Sequence, residues 1–356
     1  MRRLFRLLKW ALAAVVLMVI GLMLPVGYVE AFCRGEPQPV TYQPVIADPE
    51  WQRREANSYL TYPEWHIVFA YDGLASVLET SDEHAFGYLQ SIFGFWQSTC
   101  ALTNVADRHG GADGATRTMV HTIGVSFTLE MLAKAAYEET AGRFFAWLRG
   151  PEKSPQDIVS ARMAADYAAF LRQTPWYLYD FAGQTTALWA APLSRPLRGW
   201  ERRLALGAEW TAKQGYAGLI EGAVAATGEA KLSIRSVVSG VDGAGLAAID
   251  GVTVMPGEAG RTIIETPRYA RFTRILAAIV ARGGTIVEIA GNDEIMVSAT
   301  VPHGTAYDGP GTLMLRLPRT GFDGERLLLT VNMAELTELL ARARIGDPGI
   351  EHIFDY

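Results

Sequence analysis

The chain has 356 residues, with 38 acidic against 32 basic side chains and a formal net charge of −6. Hydrophobic residues make up 49% and charged residues 20%, the balance of a folded protein rather than of a disordered chain. The acidic excess argues against nucleic acid as a partner, and only two cysteines exclude a disulfide-rich scaffold.

Arg2, Arg3, Arg6 and Lys9 precede an apolar run over residues 10–28. That run matches the ~20 residues a helix needs to cross a bilayer. Basic residues before it and few after it place the N-terminus in the cytoplasm. A cleaved signal peptide is the competing reading, with Val29-Glu30-Ala31 as the cleavage site. The run exceeds the usual signal core, so an uncleaved anchor over residues 1–31 is expected. Arg outweighs Lys, and Ala and Gly are abundant, as in a GC-rich bacterial genome. The expected location is therefore a bacterial inner membrane, single-pass, with the bulk in the periplasm. Residues 119–136 are the next most apolar stretch, but they carry His121, Glu130 and Lys134. Charges at bilayer depth are costly, so this stretch reads as a buried helix of a water-soluble domain.

Residues 32–57 contain Pro37, Pro39, Pro44 and Pro49 and read as an extended stalk. A helical domain is expected over 58–227. Thr61-Tyr62-Pro63-Glu64 has the pattern of a capping box opening a helix to about residue 79. Ser81 would cap a second helix over 82–108, and a third is expected over 115–148. Ser154-Pro155 opens a fourth, and a last one spans 197–226. An α+β domain is expected over 228–356, beginning near Lys231. Its pattern predicts strands at 232–238 and 252–255 and a helix opened by Thr266-Pro267. A hairpin over 285–290 and 295–301 follows, then strands at 312–317 and 326–331. A helix capped by Asn332 and Glu335 runs to about Arg344, before a last strand at 350–355. This order resembles a ferredoxin-like split βαβ with an inserted hairpin. The resemblance concerns fold alone, since such folds host many functions. No internal repeat is evident. The expected class is α+β: a transmembrane helix, an all-α domain, then a ferredoxin-like domain.

No Gly-x-Ser-x-Gly, dinucleotide fingerprint, phosphate loop or haem-attachment motif occurs. Catalytic residues and cofactors therefore stay unassigned. His66, His121 and Glu130 are the candidate metal ligands, on the premise that they converge in the bundle core. Against them, Glu-x-x-His pairs are missing and the capping box accounts for Glu64. Glu130, Lys134 and Glu138 fall at i, i+4 and i+8, the spacing of a self-paired stripe. Trp176, Tyr177, Trp189 and Trp200 interleave with Arg198 and Arg203. Aromatic rings beside arginines suit a membrane–water interface; the competing reading is a packed core with a solvated rim. Cys33 and Cys100 form either a disulfide or two buried thiols. The expected role is a non-enzymatic binding or scaffold component of the cell envelope. Its partners would be membrane lipid and either an envelope protein or a second copy. The alternative is a metal- or cofactor-dependent enzyme with its site in the helical domain.

Overall fold

The computed structural model describes residues 2–39, 41–227, 232–256, 260–343, 345–346 and 349–356. The expected start of the α+β region at Lys231 and the expected helix end at Arg344 lie outside the described residues.

Helix α1 (Arg2–Phe32) is continuous. Its 31 residues are about 46 Å long at ~1.5 Å per residue, more than the ~30 Å of a hydrocarbon core. Residues Lys9–Phe32 form the one described helix long and apolar enough to cross a membrane. Leu22, Val29 and Cys33 are buried on one stripe, while most other apolar side chains of α1 are exposed.

The helical part follows as α2 (Ala56–Leu60), α3 (Tyr62–Thr80), α4 (Tyr88–Arg108) and α5 (Gly114–Tyr137). A π-helical turn (Glu138–Gly142) leads into α6 (Arg143–Arg149). Then come α7 (Pro155–Leu171), α8 (Phe181–Ala190) and α9 (Pro196–Thr227). Thr61 is not the expected cap: its backbone is helical, because α2 runs straight into α3, and its hydroxyl donates to the Ser58 carbonyl. The helix expected over 82–108 is broken. A 3-10 turn (Glu83–Ala85) precedes Phe86-Gly87, and α4 starts after them. Ser154 does form a capping box with Asp157, and α7 begins there.

The strands are β1 (Ser233–Ser239), β2 (Thr253–Met255), β3 (Arg261–Pro267), β4 (Thr285–Ile289), β5 (Glu294–Val301), β6 (Thr312–Pro318), β7 (Glu325–Asn332) and β8 (Gly349–Phe354). Helices α10 (Gly243–Ala247), α11 (Ala270–Val280) and α12 (Met333–Arg342) lie between them. Thr266-Pro267 ends β3 rather than opening a helix; a proline is tolerated at a strand terminus.

The expected ferredoxin-like sheet is replaced by two four-stranded antiparallel sheets, ordered β2-β3-β1-β4 and β6-β7-β5-β8. The predicted hairpin is therefore absent: β4 and β5 belong to different sheets. The two orders are the same, so the region is two consecutive βββαβ units. Each central strand carries a bulge against its unit's last strand, between Val237 and Val238 and between Ser298 and Ala299. The helices are exchanged between units. Thr273 on α11 accepts from the Ile353 amide of β8 at 3.0 Å, and Thr337 on α12 accepts from the Ile286 amide of β4 at 3.1 Å. Both sheets and both helices share one apolar core. A second cluster joins the helical part to β5–β8 through Tyr59, Tyr62, Leu102, Met296, Leu328 and Phe354.

Candidate functional site

The end of α1 is clasped to the body. Cys33 and Cys100 form a disulfide with Cα atoms 5.1 Å apart. Arg34 Nε donates to Asp107 at 2.7 Å, and the Gly35 amide donates to the same carboxylate at 3.0 Å. Gly35 lies against the Asn104 carbonyl, where any Cβ would come within 2.2 Å. Glu30 accepts from Arg117 and from His121 Nε2, the latter at 2.7 Å. Burial and then Arg117 hold His121 below its ordinary pKa, so the neutral ring donates its Nε2 proton. Beyond the clasp, the segment read as a stalk lies along the α+β part. Tyr42 Oη and the amides of Val45 and Ile46 all donate to the buried Glu288 carboxylate of β4.

The interior of the helical part holds an apolar cluster that includes Phe95, Phe127, Phe181 and Trp210, and beside it a buried charged network. Glu130, Lys134 and Glu138 do not pair with one another. They reach across to α9, to Lys213 (2.9 Å), Glu209 (2.7 Å) and Arg202 (2.9 Å) in turn. Steps of four along 130–138 meet steps of four and then seven along α9, spacings that keep the partners on one helix face. Lys134 and then Lys213 overcome the burial of Glu209 and draw its pKa down to about 2. Further along α9, Arg198 and Arg202 are 2% and 0% exposed. With Arg149 they bind Asp82, Glu83, Glu138, Asp157 and Glu201. Burial would raise Glu83, but Arg202 and Arg198 outweigh it and hold the group below its usual value. The π-turn belongs to this network. Its Gly142 carbonyl accepts from Arg198 at 3.2 Å, and a Cβ at Gly142 would strike the Glu138 carboxylate at 2.1 Å.

The outside of the helical part is the reverse. The exposed positions of α5, including Ala115, Met119, Ser126, Leu129, Leu132 and Ala136, carry no charge. Thr118 and Thr122 return their hydroxyls to carbonyls four residues back, at 2.8 Å each, and so present methyl groups. Among the described residues the helical part exposes sixteen large apolar side chains, Phe93, Trp147 and Leu219 above 70%, whereas the α+β part exposes two, Leu232 and Leu313.

The residues expected at the membrane interface are divided by the fold. Trp189 and Trp200 are exposed and meet edge to face at 5.8 Å, with the Arg203 guanidinium near both rings. Trp176 stacks on Tyr216, and Tyr177 sits beside it, half-buried. Arg198 is buried in the ionic network and does not reach the surface, a correction to its expected contact with lipid headgroups.

His66, His121 and Glu130 do not converge on one metal: each is engaged elsewhere. Glu130 binds Lys213 and Tyr71, and His121 binds Glu30. His66 Nε2 donates to the Ser91 carbonyl at 2.9 Å, leaving Nδ1 without a partner. Burial, with Arg326 nearby, draws the His66 pKa down to about 3. His66, Tyr62 and Arg326 line a cavity of about 230 Å³ between α3, α4 and β6–β7. Burial pushes the Tyr62 hydroxyl up to about 12.

Two clusters escaped the sequence reading because their members are distant in the chain. Asp82, Glu83 and Asp157 lie together, but Arg149 and Arg198 already neutralise them. Glu55, His109 and Glu294 form the other. There, burial opposes the charged imidazole, and Glu55 and Glu294 overcome it to raise His109. Compared with family models, curated proteins and solved structures, the chain matches none.

Proposed function

We propose that this protein is a single-pass scaffold of a bacterial cell envelope. It sits in the inner membrane, N-terminus in the cytoplasm and body in the periplasm. Its helical part lies on the outer leaflet, and its α+β part is held above the lipid to meet an envelope protein or a second copy. The observation that carries this reading is the uncharged outer face of α5, the helix to which α1 is clasped through Glu30. A large apolar surface on a folded protein marks a membrane or a partner, and the clasp keeps this one close to the span. The disulfide supports an oxidising compartment for the body. The basic N-terminal tip supports the orientation.

Lipid photocrosslinking tests it. The full chain is reconstituted in vesicles containing a photoactivatable phospholipid, irradiated, digested with trypsin and mapped. The expected adducts fall on α1 and on the peptide from Thr118 to Lys134. Adducts confined to α1 would overturn the reading.

A further inference from the structure

Glu55, His109 and Glu294 come from three separate parts of the molecule. Glu55 lies between the segment that follows the anchor and α2. His109 ends α4, the helix that carries Cys100, and Glu294 opens β5. His109 Nδ1 is 3.0 Å from Glu55 Oε1 and 3.4 Å from Glu294 Oε2. One donor atom of each residue lies within 4.8 Å of the others. Zinc bonds of ~2.0–2.2 Å in a tetrahedron separate donors by about 3.3–3.6 Å. From these distances we infer that Glu55, His109 and Glu294 form a three-ligand site for a zinc-type divalent cation, with the fourth position left to water.

A second observation points the same way. The other ring nitrogen of His109, Nε2, lies 3.3 Å from Tyr59 Oη, which is itself 2.7 Å from Thr330 Oγ1. When Nε2–H donates to Tyr59, Nδ1 faces the two carboxylates, and a divalent cation can take the place that a proton on Nδ1 otherwise fills between them. Metal-bound histidines are oriented in this way by a hydrogen bond from the far nitrogen. Charge agrees with geometry. Asp293 adjoins the cluster, and no Lys or Arg forms an ion pair with Glu55, Asp293 or Glu294 among the described residues. The side chain of Glu294 is 36% exposed and that of His109 21%, so the site is open to solvent. A bound cation would staple the segment after the anchor to α4 and to the first strand of the second βββαβ unit.

Cobalt and zinc titrations test the site. Full-length protein in detergent is stripped with a chelator, dialysed and titrated with Co2+ and then Zn2+. The expected result is one equivalent per chain, with a visible Co2+ band of tetrahedral intensity that Zn2+ displaces. His109→Ala should weaken binding at least 100-fold, and Glu294→Gln at least 10-fold. Tyr59→Phe should cost about 10-fold through the orientation of the ring. Circular dichroism checks that each variant is folded, and Glu294→Gln, at a half-exposed position, serves if His109→Ala is not. An absence of binding by the parent protein would overturn the site. So would unchanged binding by folded His109→Ala or by Glu294→Gln.

Discussion

The helical part and the α+β part each bury an apolar core, but they differ in what they add to it and in what they expose. The α+β part buries Ile, Leu and Val between its sheets and helices and shows few large apolar groups to solvent. The helical part buries Arg149, Arg198 and Arg202 among carboxylates alongside its apolar core, and it exposes many more large apolar side chains. The contrast teaches how a helix can contain charges and still present an uncharged outer face. Glu130, Lys134 and Glu138 all turn inward to α9, so the charges that argue against membrane contact along the chain leave the opposite face of α5 uncharged.

The largest effect should come from breaking the charged interior. Arg202→Met roughly keeps the volume but leaves Glu138 without its ion-pair partner and Glu83 and Glu201 to share Arg198 alone. A loss of about 3–5 kcal/mol is expected in urea unfolding of the detergent-solubilised protein, because an unpaired buried charge is the costly state. Adding Glu138→Gln should restore part of the loss. A cost below about 1 kcal/mol, the range of solvated pairs, would erase the distinction between the two interiors.

A smaller effect should separate the two βββαβ units. Glu288 and His352 stand at matching places, each paired just before its bulge, and both are 0% exposed. Glu288 is capped by the segment that follows α1, whereas the His352 ring stacks on Trp65 of the helical part at 3.5 Å. Glu288→Ala leaves three donors unmet and should cost about 2–3 kcal/mol, since hydrogen bonds to charged groups are among the stronger ones. Limited proteolysis should then cut near Arg53 or Arg54. His352→Ala should leave those sites protected. Equal cleavage in both variants would mean that Glu288 does not fasten the segment.

Acid sharpens the comparison most gently. His66 has a folded pKa of about 3 against an ordinary 6.5, so its contribution is complete above pH 6.5 and is lost as pH falls toward 3. Glu209, at about 2 against 4.5, adds stability above pH 4.5 that is lost as pH falls toward 2. Unfolding midpoints measured at stepped pH should decline from 6.5 downward and more steeply below 4.5. Lys134→Met should flatten the lower limb. A flat profile between pH 6.5 and 3 would contradict the buried neutral His66.

The elements with local causes were legible in the chain. The apolar run with its basic prefix makes α1, Ser154 with Asp157 starts α7, and Asn332 with Glu335 starts α12. Each depends on groups a few residues apart, which a sequence displays directly. The strands were nearly all visible as well, except β3, whose Thr266-Pro267 imitates a helix start. Their pairing was not. Strands β1 and β5 share little residue identity, so the repeated order of the two units rests on hydrogen bonds between distant segments.

The same division holds for the site. Sequence alone determined a long apolar N-terminal helix, two cysteines, a helical stretch and a stranded one, because propensity and hydropathy act over a few turns of chain. Tertiary structure decided that Cys33 meets Cys100, that Arg198 is buried instead of facing lipid, and that Glu55, His109 and Glu294 meet. A side chain's partner depends on which helix packs against its face, and that is fixed only when the whole chain has closed its core.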